Sequence, residues 1–211
     1  MSELQGLECG VEIVPHDYFD RLRLDEHFPR VAPLEVDVGS GSGGFLIAMA
    51  RRHPDRNFLG IERLLGRVRK TCEVASRLGL PNVHVLRVES AYAMEHLLPP
   101  ASVRVFHVAF PDPWPKRRHW PRRLVNRVFL DAAAAALEPG GEIRFKTDDL
   151  PYFSHIASVA RAHAAFREIE SLAEPDYPET NFERRFRAKG APIYCLWLVK
   201  ESLPRNARAV H

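Results

Sequence analysis

The sequence predicts an α/β fold, a doubly wound and mostly parallel sheet of seven strands with an antiparallel hairpin at one edge. Two observations predict it. Short apolar segments alternate with helix-like segments from residue 34 to residue 163. The last two apolar segments, at 166–172 and 193–200, follow each other with no helix predicted between them. Strands that alternate with helices form parallel sheets, whereas two consecutive strands favour an antiparallel pair.

The first half of the sheet is predicted from apolar, β-branched runs that end at turn residues. LEVDV at 34–38 stops at Gly39, and the next helix-like segment ends at Pro54. Strands follow at 57–61 and 83–88, separated by a helix that stops at Gly79. Predicted helices in this half cover residues 45–53, 64–78 and 91–98.

The second half repeats the pattern. A strand at 103–110 precedes a helix at 121–137, which closes at Gly140. A strand at 141–147 then precedes a helix at 152–163, before the two closing strands.

The chain has 211 residues, 45% of them hydrophobic and 27% charged, which indicates one globular domain with a real core. We expect an acidic, mobile or loosely packed arm over residues 1–30 and the folded domain over 31–211. No apolar run approaches the roughly 18 residues of a membrane helix, and no export signal is evident, so a cytoplasmic protein without a membrane partner is expected. Cys9, Cys72 and Cys195 are far apart, and no metal site is predicted.

Charge is unevenly distributed. Residues 1–35 hold three Arg and eight Asp or Glu, which gives this segment a net charge of −5. Because the whole chain has a net charge of +3, residues 36–211 carry +8. One basic cluster contains no acid and has aromatic residues within and beside it: Lys116, Arg117, Arg118, Arg122, Arg123 and Arg127, with Trp114 and Trp120. A second holds Arg184, Arg185, Arg187 and Lys189. Basic residues with aromatics favour a nucleic-acid partner, and we expect the arginines at 117, 118, 122 and 123 to contact its backbone.

A glycine-rich turn follows the first predicted strand. Gly39, Gly41 and Gly43 allow a sharp turn and a close approach of a ligand to the backbone. Glu62, at the end of the second strand, can accept both ribose hydroxyls of an adenosine and repels a 2′-phosphate, which leaves NAD or S-adenosylmethionine. Asp37 suits a cationic amino-acid moiety better than a pyrophosphate, which favours S-adenosylmethionine.

The segment FPDPWPKRRH at 110–119 follows the fourth strand. Pro111, Pro113 and Pro115 fix φ at alternate positions, so Asp112 and Trp114 are held on a stiff loop over the predicted cofactor crevice. Guanine N7 has a free lone pair and needs no general base. A carboxylate such as Asp112 can stabilise the positive charge of an alkylated purine or accept from guanine N1 and N2.

These motifs resemble one family. DVGSGSGGF, GIE, FPDPWPKRRH, KTDD and TNFERRFRAKG are similar to the bacterial tRNA (guanine-N7)-methyltransferases, over about Leu34 to Lys200. The resemblance implies an S-adenosylmethionine-dependent enzyme acting on N7 of the variable-loop guanine of tRNA, as a monomer or homodimer. The implied cofactor contacts are Asp37, Glu62, Glu89 and Asp112, the last also the catalytic acid. The implied substrate contacts are Lys116, Asp148, Thr180, Asn181, Phe182 and Glu183.

Three other functions compete with this interpretation. An amino-directed nucleic-acid methyltransferase is the nearest, although the Asp between Pro111 and Pro113 breaks its pattern. An NAD-dependent oxidoreductase would share the glycine turn and Glu62, but 211 residues leave little room for a substrate domain. A noncatalytic RNA-binding protein would have no use for acids that converge on a crevice.

Overall fold

The computed structural model describes residues 10–170 and 177–201. The strands are β1 (Glu12–Ile13), β2 (Leu34–Val38), β3 (Asn57–Ile61), β4 (Val83–Leu86), β5 (Val103–Ala109), β6 (Leu137–Thr147), β7 (Phe166–Ile169) and β8 (Tyr194–Lys200). The α-helices are α1 (Gly44–Arg52), α2 (Leu65–Arg77), α3 (Ser90–Tyr92), α4 (Arg127–Ala136), α5 (Leu150–Arg161) and α6 (Asn181–Arg187). A π-helical turn spans Ala93–Leu97, and 3-10 helices span Leu24–Glu26 and Arg117–Arg122.

The strands form one sheet in the order β1-β4-β3-β2-β5-β6-β8-β7. Strands β1 to β6 run parallel to one another, whereas β8 is antiparallel to both β6 and β7. The chain therefore turns back at β2, which has β3 on one side and β5 on the other. Ligands of such sheets bind at the carboxyl ends of the strands beside this reversal.

Apolar side chains cover both faces of the sheet. On one face α4 and α5 pack on β2, β5 and β6, with Val36, Phe106, Phe129 and Tyr152 fully or almost fully buried. On the other face α1 and α2 pack on β3 and β4 in a smaller cluster. These two cores fix the strand register and hence the positions of the loops at the carboxyl edge.

The fold class is confirmed, but the predicted number of strands is wrong. The eighth strand is β1, where Glu12 and Ile13 pair with Val85 and Leu86. It lies in the predicted arm, of which residues 1–9 are outside the described residues. Ile13, Leu22 and Phe28 are buried in the main core, so residues 11–28 are packed on the domain rather than loose. The boundary at residue 31 stays a prediction.

The expectation that no helix separates the last two strands is also wrong, because α6 lies between them. The missed signal is the sequence Thr-Asn-Phe-Glu, a capping box. The Thr180 hydroxyl accepts a hydrogen bond from the Glu183 N–H at 3.0 Å. The fourth predicted helix starts six residues later than expected, at Arg127, because Asn126 caps it and a 3-10 helix precedes it.

Among the described residues, no helix is both long enough and apolar enough to cross a membrane.

Candidate functional site

The glycine turn links β2 to α1 at the carboxyl edge of the sheet. Gly39, Gly41 and Gly43 have φ values of 80°, 57° and 74°, in the left-handed region that side chains disfavour. The N–H groups of Gly39 and Ser40 both donate to the Ile61 carbonyl at 2.9 Å, which ties the turn to β3. A Cβ at Gly43 would lie 2.5 Å from the Thr71 hydroxyl of α2, so the turn and α2 are in direct steric contact.

Two acids lie beside this turn, at the carboxyl edge of the sheet where the ligand crevice of such folds forms. Asp37 is buried on β2, paired in register with Gly60 of β3 and His107 of β5. Burial, with a smaller contribution from the nearby Glu62 charge, raises the pKa of Asp37 to about 7. A cation brought next to Asp37 would restore its ionised form, because an opposite charge favours the carboxylate.

Glu62 is buried directly after β3. Its Oε1 accepts from the Leu64 N–H at 2.9 Å and its Oε2 from the exposed Arg67 guanidinium at 3.3 Å. The first contact fixes the carboxylate, and the second is a long side-chain contact that a ligand can replace.

The crevice fits the predicted S-adenosylmethionine. Asp37 offers a carboxylate for its cationic part, Glu62 one for a ribose, and Gly39 and Gly41 leave open space where side chains would stand. The Ser40 hydroxyl is buried without a hydrogen-bond partner within the described residues, a further polar group for a ligand to satisfy. Glu89 is exposed beyond β4 and caps α3 by accepting from the Tyr92 N–H at 3.1 Å.

The loop after β5 is stiff and strained. Phe110 and Trp114 have φ values of 53° and 45°, which non-glycine residues rarely adopt. The Phe110 N–H donates to the Lys146 carbonyl at 2.7 Å, and the Pro113 carbonyl accepts from Arg123 Nε at 2.9 Å. Asp112 is exposed between these two anchors. The loop thus presents one carboxylate at the sheet edge on a backbone held from both sides.

The basic cluster divides into two roles. Arg117, Arg118 and Arg122 are exposed beside the loop, as is Lys116. Arg123 is only 5% exposed, and its guanidinium lies between the rings of Trp120 and Tyr152. The prediction that Arg123 contacts a nucleic-acid backbone is wrong, because a buried guanidinium that donates to the Pro113 carbonyl is not available to a phosphate.

Helix α6 reaches the same edge because β8 runs antiparallel to β6. Glu183 is buried and binds Lys146 Nζ at 2.9 Å and Arg187 at 2.8 Å. These two partners hold the pKa of Glu183 below its ordinary value although burial acts in the opposite direction. The Thr180 hydroxyl is used as the N-cap of α6. Glu183 therefore fixes α6 on the sheet and Thr180 begins the helix, and their predicted contact with substrate stays a prediction.

Other residues of α6 face the crevice. A Cβ on Gly44 would be 3.4 Å from the Asn181 amide, which places Asn181 over the start of α1. The Phe182 ring is 47% exposed, with its centroid 6.4 Å from those of Phe110 and Phe186. Helix α6 thus connects the cofactor side of the crevice with the loop that carries Asp112.

Of the two acids after β6, Asp149 caps α5 by accepting from the Tyr152 N–H at 2.7 Å. Asp148 is half-buried at the carboxyl edge, and within the described residues its carboxylate has no partner. Asp149 thus caps a helix, whereas Asp148 is left at the carboxyl edge, and its predicted contact with substrate stays a prediction.

Comparisons with known proteins decide the family. Residues 31–196 match a family model described as "Putative methyltransferase". The tRNA (guanine-N(7)-)-methyltransferase of Halorhodospira halophila is 35% identical over 200 residues, 92% of this chain and 85% of that protein. That of Leifsonia xyli is 37% identical over 180 residues, 83% and 79% of the two chains. The chain belongs to the tRNA (guanine-N(7)-)-methyltransferase family. The resemblance drawn from the motifs is confirmed.

Solved structures of methyltransferases share the fold of this family member. The 16S rRNA methyltransferase KamB matches with a TM-score of 0.64 at 19% identity, covering 85% of this chain and 93% of its own. The aminoglycoside resistance methyltransferase NpmB1 matches with a TM-score of 0.57 at 17% identity, covering 84% and 91%. At 17–19% identity the similarity to these two structures shows a shared fold and nothing about substrate.

Sequence reasoning missed one polar network behind the site of this methyltransferase. His107 of β5 contacts Glu35 through Nε2 and the Tyr177 hydroxyl through Nδ1, at 2.7 and 2.9 Å. Glu35 also accepts from Arg56 at 2.7 Å. Lys146, the half-buried partner of Glu183, was likewise missed. The available signal was the run of polar residues at alternate positions of otherwise apolar central strands, which indicates a polar segment packed on that face.

Proposed function

We propose that this methyltransferase transfers the methyl group of S-adenosylmethionine to N7 of the variable-loop guanine of tRNA, guanine 46. One observation carries the proposal. The glycine turn, the buried carboxylates of Asp37 and Glu62, and the stiff loop with Asp112 all follow neighbouring parallel strands at one edge of the sheet. A cofactor crevice and a purine-facing acid thus adjoin each other.

On the cofactor side, each acid has a separate task. Asp37, ionised, attracts the cationic amino-acid part, and Glu62 accepts hydrogen bonds from the ribose hydroxyls once Arg67 has moved aside. Glu89, beyond the next strand, is the candidate for the adenine amino group. The bound cofactor supplies a methyl group activated on a sulfonium.

On the substrate side, Asp112 positions guanine and stabilises its product. Its carboxylate accepts from the N1 and N2 groups or lies against the purine as positive charge develops on it. The nucleophilic lone pair of N7 is already free, so no proton has to be removed. The backbone anchors at Phe110 and Pro113 keep the carboxylate in place, which lowers the cost of orienting the two reactants.

Exposed cations around the loop fit a polyanion. Lys116, Arg117, Arg118 and Arg122 lie on one side, and Arg184, Arg185 and Lys189 lie on and just after α6. We assign both groups to phosphates of tRNA, the substrate in the printed names of the relatives. The site is assembled from one chain, so a monomer and a homodimer both fit the proposal. A tRNA substrate fits the cytoplasm.

The test uses labelled S-adenosylmethionine and unmodified tRNA transcript, followed by mapping of methyl-dependent strand scission. A second transcript carries 7-deazaguanine at the target position, which keeps the base-pairing edge and removes N7. We expect scission at guanine 46 of the first transcript and no methylation of the second. Label transfer to the 7-deaza transcript would instead identify an amino-directed nucleic-acid methyltransferase.

A further inference from the structure

Trp120 presents its indole at the surface close to the loop that carries Asp112. Its side chain is 42% exposed and lies in the 3-10 helix that directly follows that loop. Tryptophan is the aromatic residue with the largest stacking area, and exposure next to a proposed substrate site makes that area available to a ligand.

The indole is held by a layered stack that reaches into the core. The Arg123 guanidinium lies 4.7 Å from the centroid of the Trp120 ring and 4.8 Å from that of Tyr152. Tyr152 is fully buried, and Arg123 is fixed by its hydrogen bond to the Pro113 carbonyl. Trp120 therefore rests on a fixed base, and little conformational entropy is lost when a second planar group stacks on it.

The surroundings of the ring are cationic. Arg117 also lies over the ring, 5.5 Å from its centroid, and its side chain is exposed and can move aside for a stacking base. Arg118 and Arg122 are exposed on the same short helix. No acid occurs between residues 116 and 127. An exposed indole among cations matches the chemistry of single-stranded nucleic-acid sites, in which aromatic rings stack bases and cations hold phosphates.

We propose that Trp120 is a stacking platform for an unpaired tRNA base adjacent to the target guanine. The inference rests on the proposed function, since it takes the guanine at Asp112 as its reference. Arg123 connects the two places, because the same guanidinium supports the loop at Pro113 and the Trp120 ring. Trp120 follows Asp112 by eight residues, on the 3-10 helix directly after the same loop, so the ligand assigned to it is a base adjacent to the target guanine.

The first measurement is tRNA affinity of Trp120→Leu and Trp120→Tyr. Leucine keeps apolar bulk over Arg123 but cannot stack a base, and base stacking corresponds to a loss of roughly 5- to 150-fold in affinity. We expect that loss in Trp120→Leu, near-normal affinity in Trp120→Tyr, and unchanged cofactor affinity and melting temperature in both. Phe19→Leu is the matched control, because Phe19 is 88% exposed and lies in the acidic N-terminal segment.

The second measurement locates the base. Transcripts with a single abasic residue on either side of the target guanine are combined with Trp120→Leu in a double-mutant cycle. At one of the two positions the losses should fail to add, because each change removes the same contact. Binding of tRNA should quench tryptophan fluorescence of the wild type, and the quenching should be smaller in Trp120→Tyr, which binds but keeps only Trp114 and Trp197.

Two results would overturn the proposal. If Trp120→Leu binds tRNA as tightly as the wild type, Trp120 is not a stacking platform. If the losses in affinity add at both flanking positions, the ligand of Trp120 is not a base adjacent to the target guanine. These failures are separate from failure of the proposed function, which would appear as absence of methylation at guanine 46 by the wild-type protein.

Discussion

His107 Nε2 and Glu35 Oε2 lie 2.7 Å apart in the middle of the sheet, and each side chain is 1% exposed. Glu35 belongs to β2 and His107 to β5, the two strands on either side of the chain reversal. The hydrogen bonds from His107 and Arg56 hold the pKa of Glu35 at about 2, against the effect of burial. Through the Tyr177 hydroxyl the pair also binds the segment that leads into α6.

His107→Leu should lower the free energy of unfolding by about 2–3 kcal/mol, the range for a lost hydrogen bond to a buried charged group. Glu35 would keep Arg56 but lose the hydrogen bond to His107, and Tyr177 would lose its contact with the same imidazole. The urea midpoint should fall with an unchanged slope. His53→Leu is the control, because within the described residues the His53 side chain has no hydrogen bond. An equal shift in both variants would contradict a special role for the pair.

Affinity for S-adenosylmethionine should rise with pH through Asp37. In the free protein the pKa of Asp37 is about 7, so its carboxyl is mostly protonated at pH 6 and mostly ionised at pH 8. A cationic ligand requires the ionised form, and each pH unit below 7 should weaken binding by up to about tenfold. Calorimetry at pH 6, 7 and 8 measures this. In Asp37→Asn any remaining pH dependence comes from titration of the cofactor itself. If the variant had the same pH profile as the wild type, Asp37 would not be the group that couples cofactor affinity to pH.

Glu62→Ala should weaken S-adenosylmethionine binding, because hydrogen bonds to a charged acceptor contribute roughly 1.5–3 kcal/mol each. Calorimetry gives the dissociation constant directly. The control is Glu73→Ala, which removes an exposed acid of α2 whose ion pair with Arg77 spans 3.9 Å. Cofactor affinity should remain at the wild-type value in the control. If Glu62→Ala bound S-adenosylmethionine with unchanged affinity, the assignment of Glu62 to the ribose hydroxyls would be wrong.

Asp112→Ala should fold normally and bind cofactor within a modest factor while turnover falls by orders of magnitude. The residue is exposed, so its removal leaves no cavity. Single-turnover methylation of tRNA separates the chemical step from binding. Asp112→Asn is informative beside it, since the amide keeps the shape but cannot offset positive charge on the purine. Turnover retained in both variants would remove Asp112 from the chemistry.

Replacing Arg117, Arg118 and Arg122 together with Ala should flatten the slope of log tRNA affinity against log salt concentration. The expected change is about two to three units, at ~0.7–0.9 per phosphate contact. Cofactor affinity and melting temperature should stay the same, because all three side chains are exposed. Arg123 is left in place, since its loss would disturb the loop.

A matched triple variant replaces Arg51, Arg52 and Arg77 at the carboxyl ends of α1 and α2. These residues are exposed at the edge of the sheet opposite the crevice. Its salt slope should equal that of the wild type. Equal flattening in the two triple variants would mean that net charge alone attracts the tRNA.

The carboxyl-edge elements were predictable from sequence because each depends on neighbouring residues. Glycine at positive φ, proline after a strand and an acid at a strand end are local signals, and they located Asp37, Glu62 and Asp112. Arg123 could not be assigned in this way. Its burial results from packing against Tyr152, which is distant in the sequence, and an arginine inside a basic run looks the same whether it is buried or exposed.

Helix α6 shows a different reason for failure. The sequence contains its capping box, but only two of its seven residues, Phe182 and Phe186, are apolar, and four are charged. It is held on the sheet by contacts between residues far apart in the chain, the ion pair of Glu183 with Lys146 and the ring contact of Phe186 with Phe110. Similarly, β1 has two residues and becomes a strand only because β4 offers a free edge.

The contact of Gly43 with Thr71 leaves no room for a side chain between the glycine turn and α2, because a Cβ at Gly43 would lie 2.5 Å from the Thr71 hydroxyl. The spacing between the turn and α2 is therefore set by the absence of a side chain at residue 43. Any larger residue there would push the turn away from α2 and shift the backbone that borders the cofactor crevice, without touching the cofactor itself.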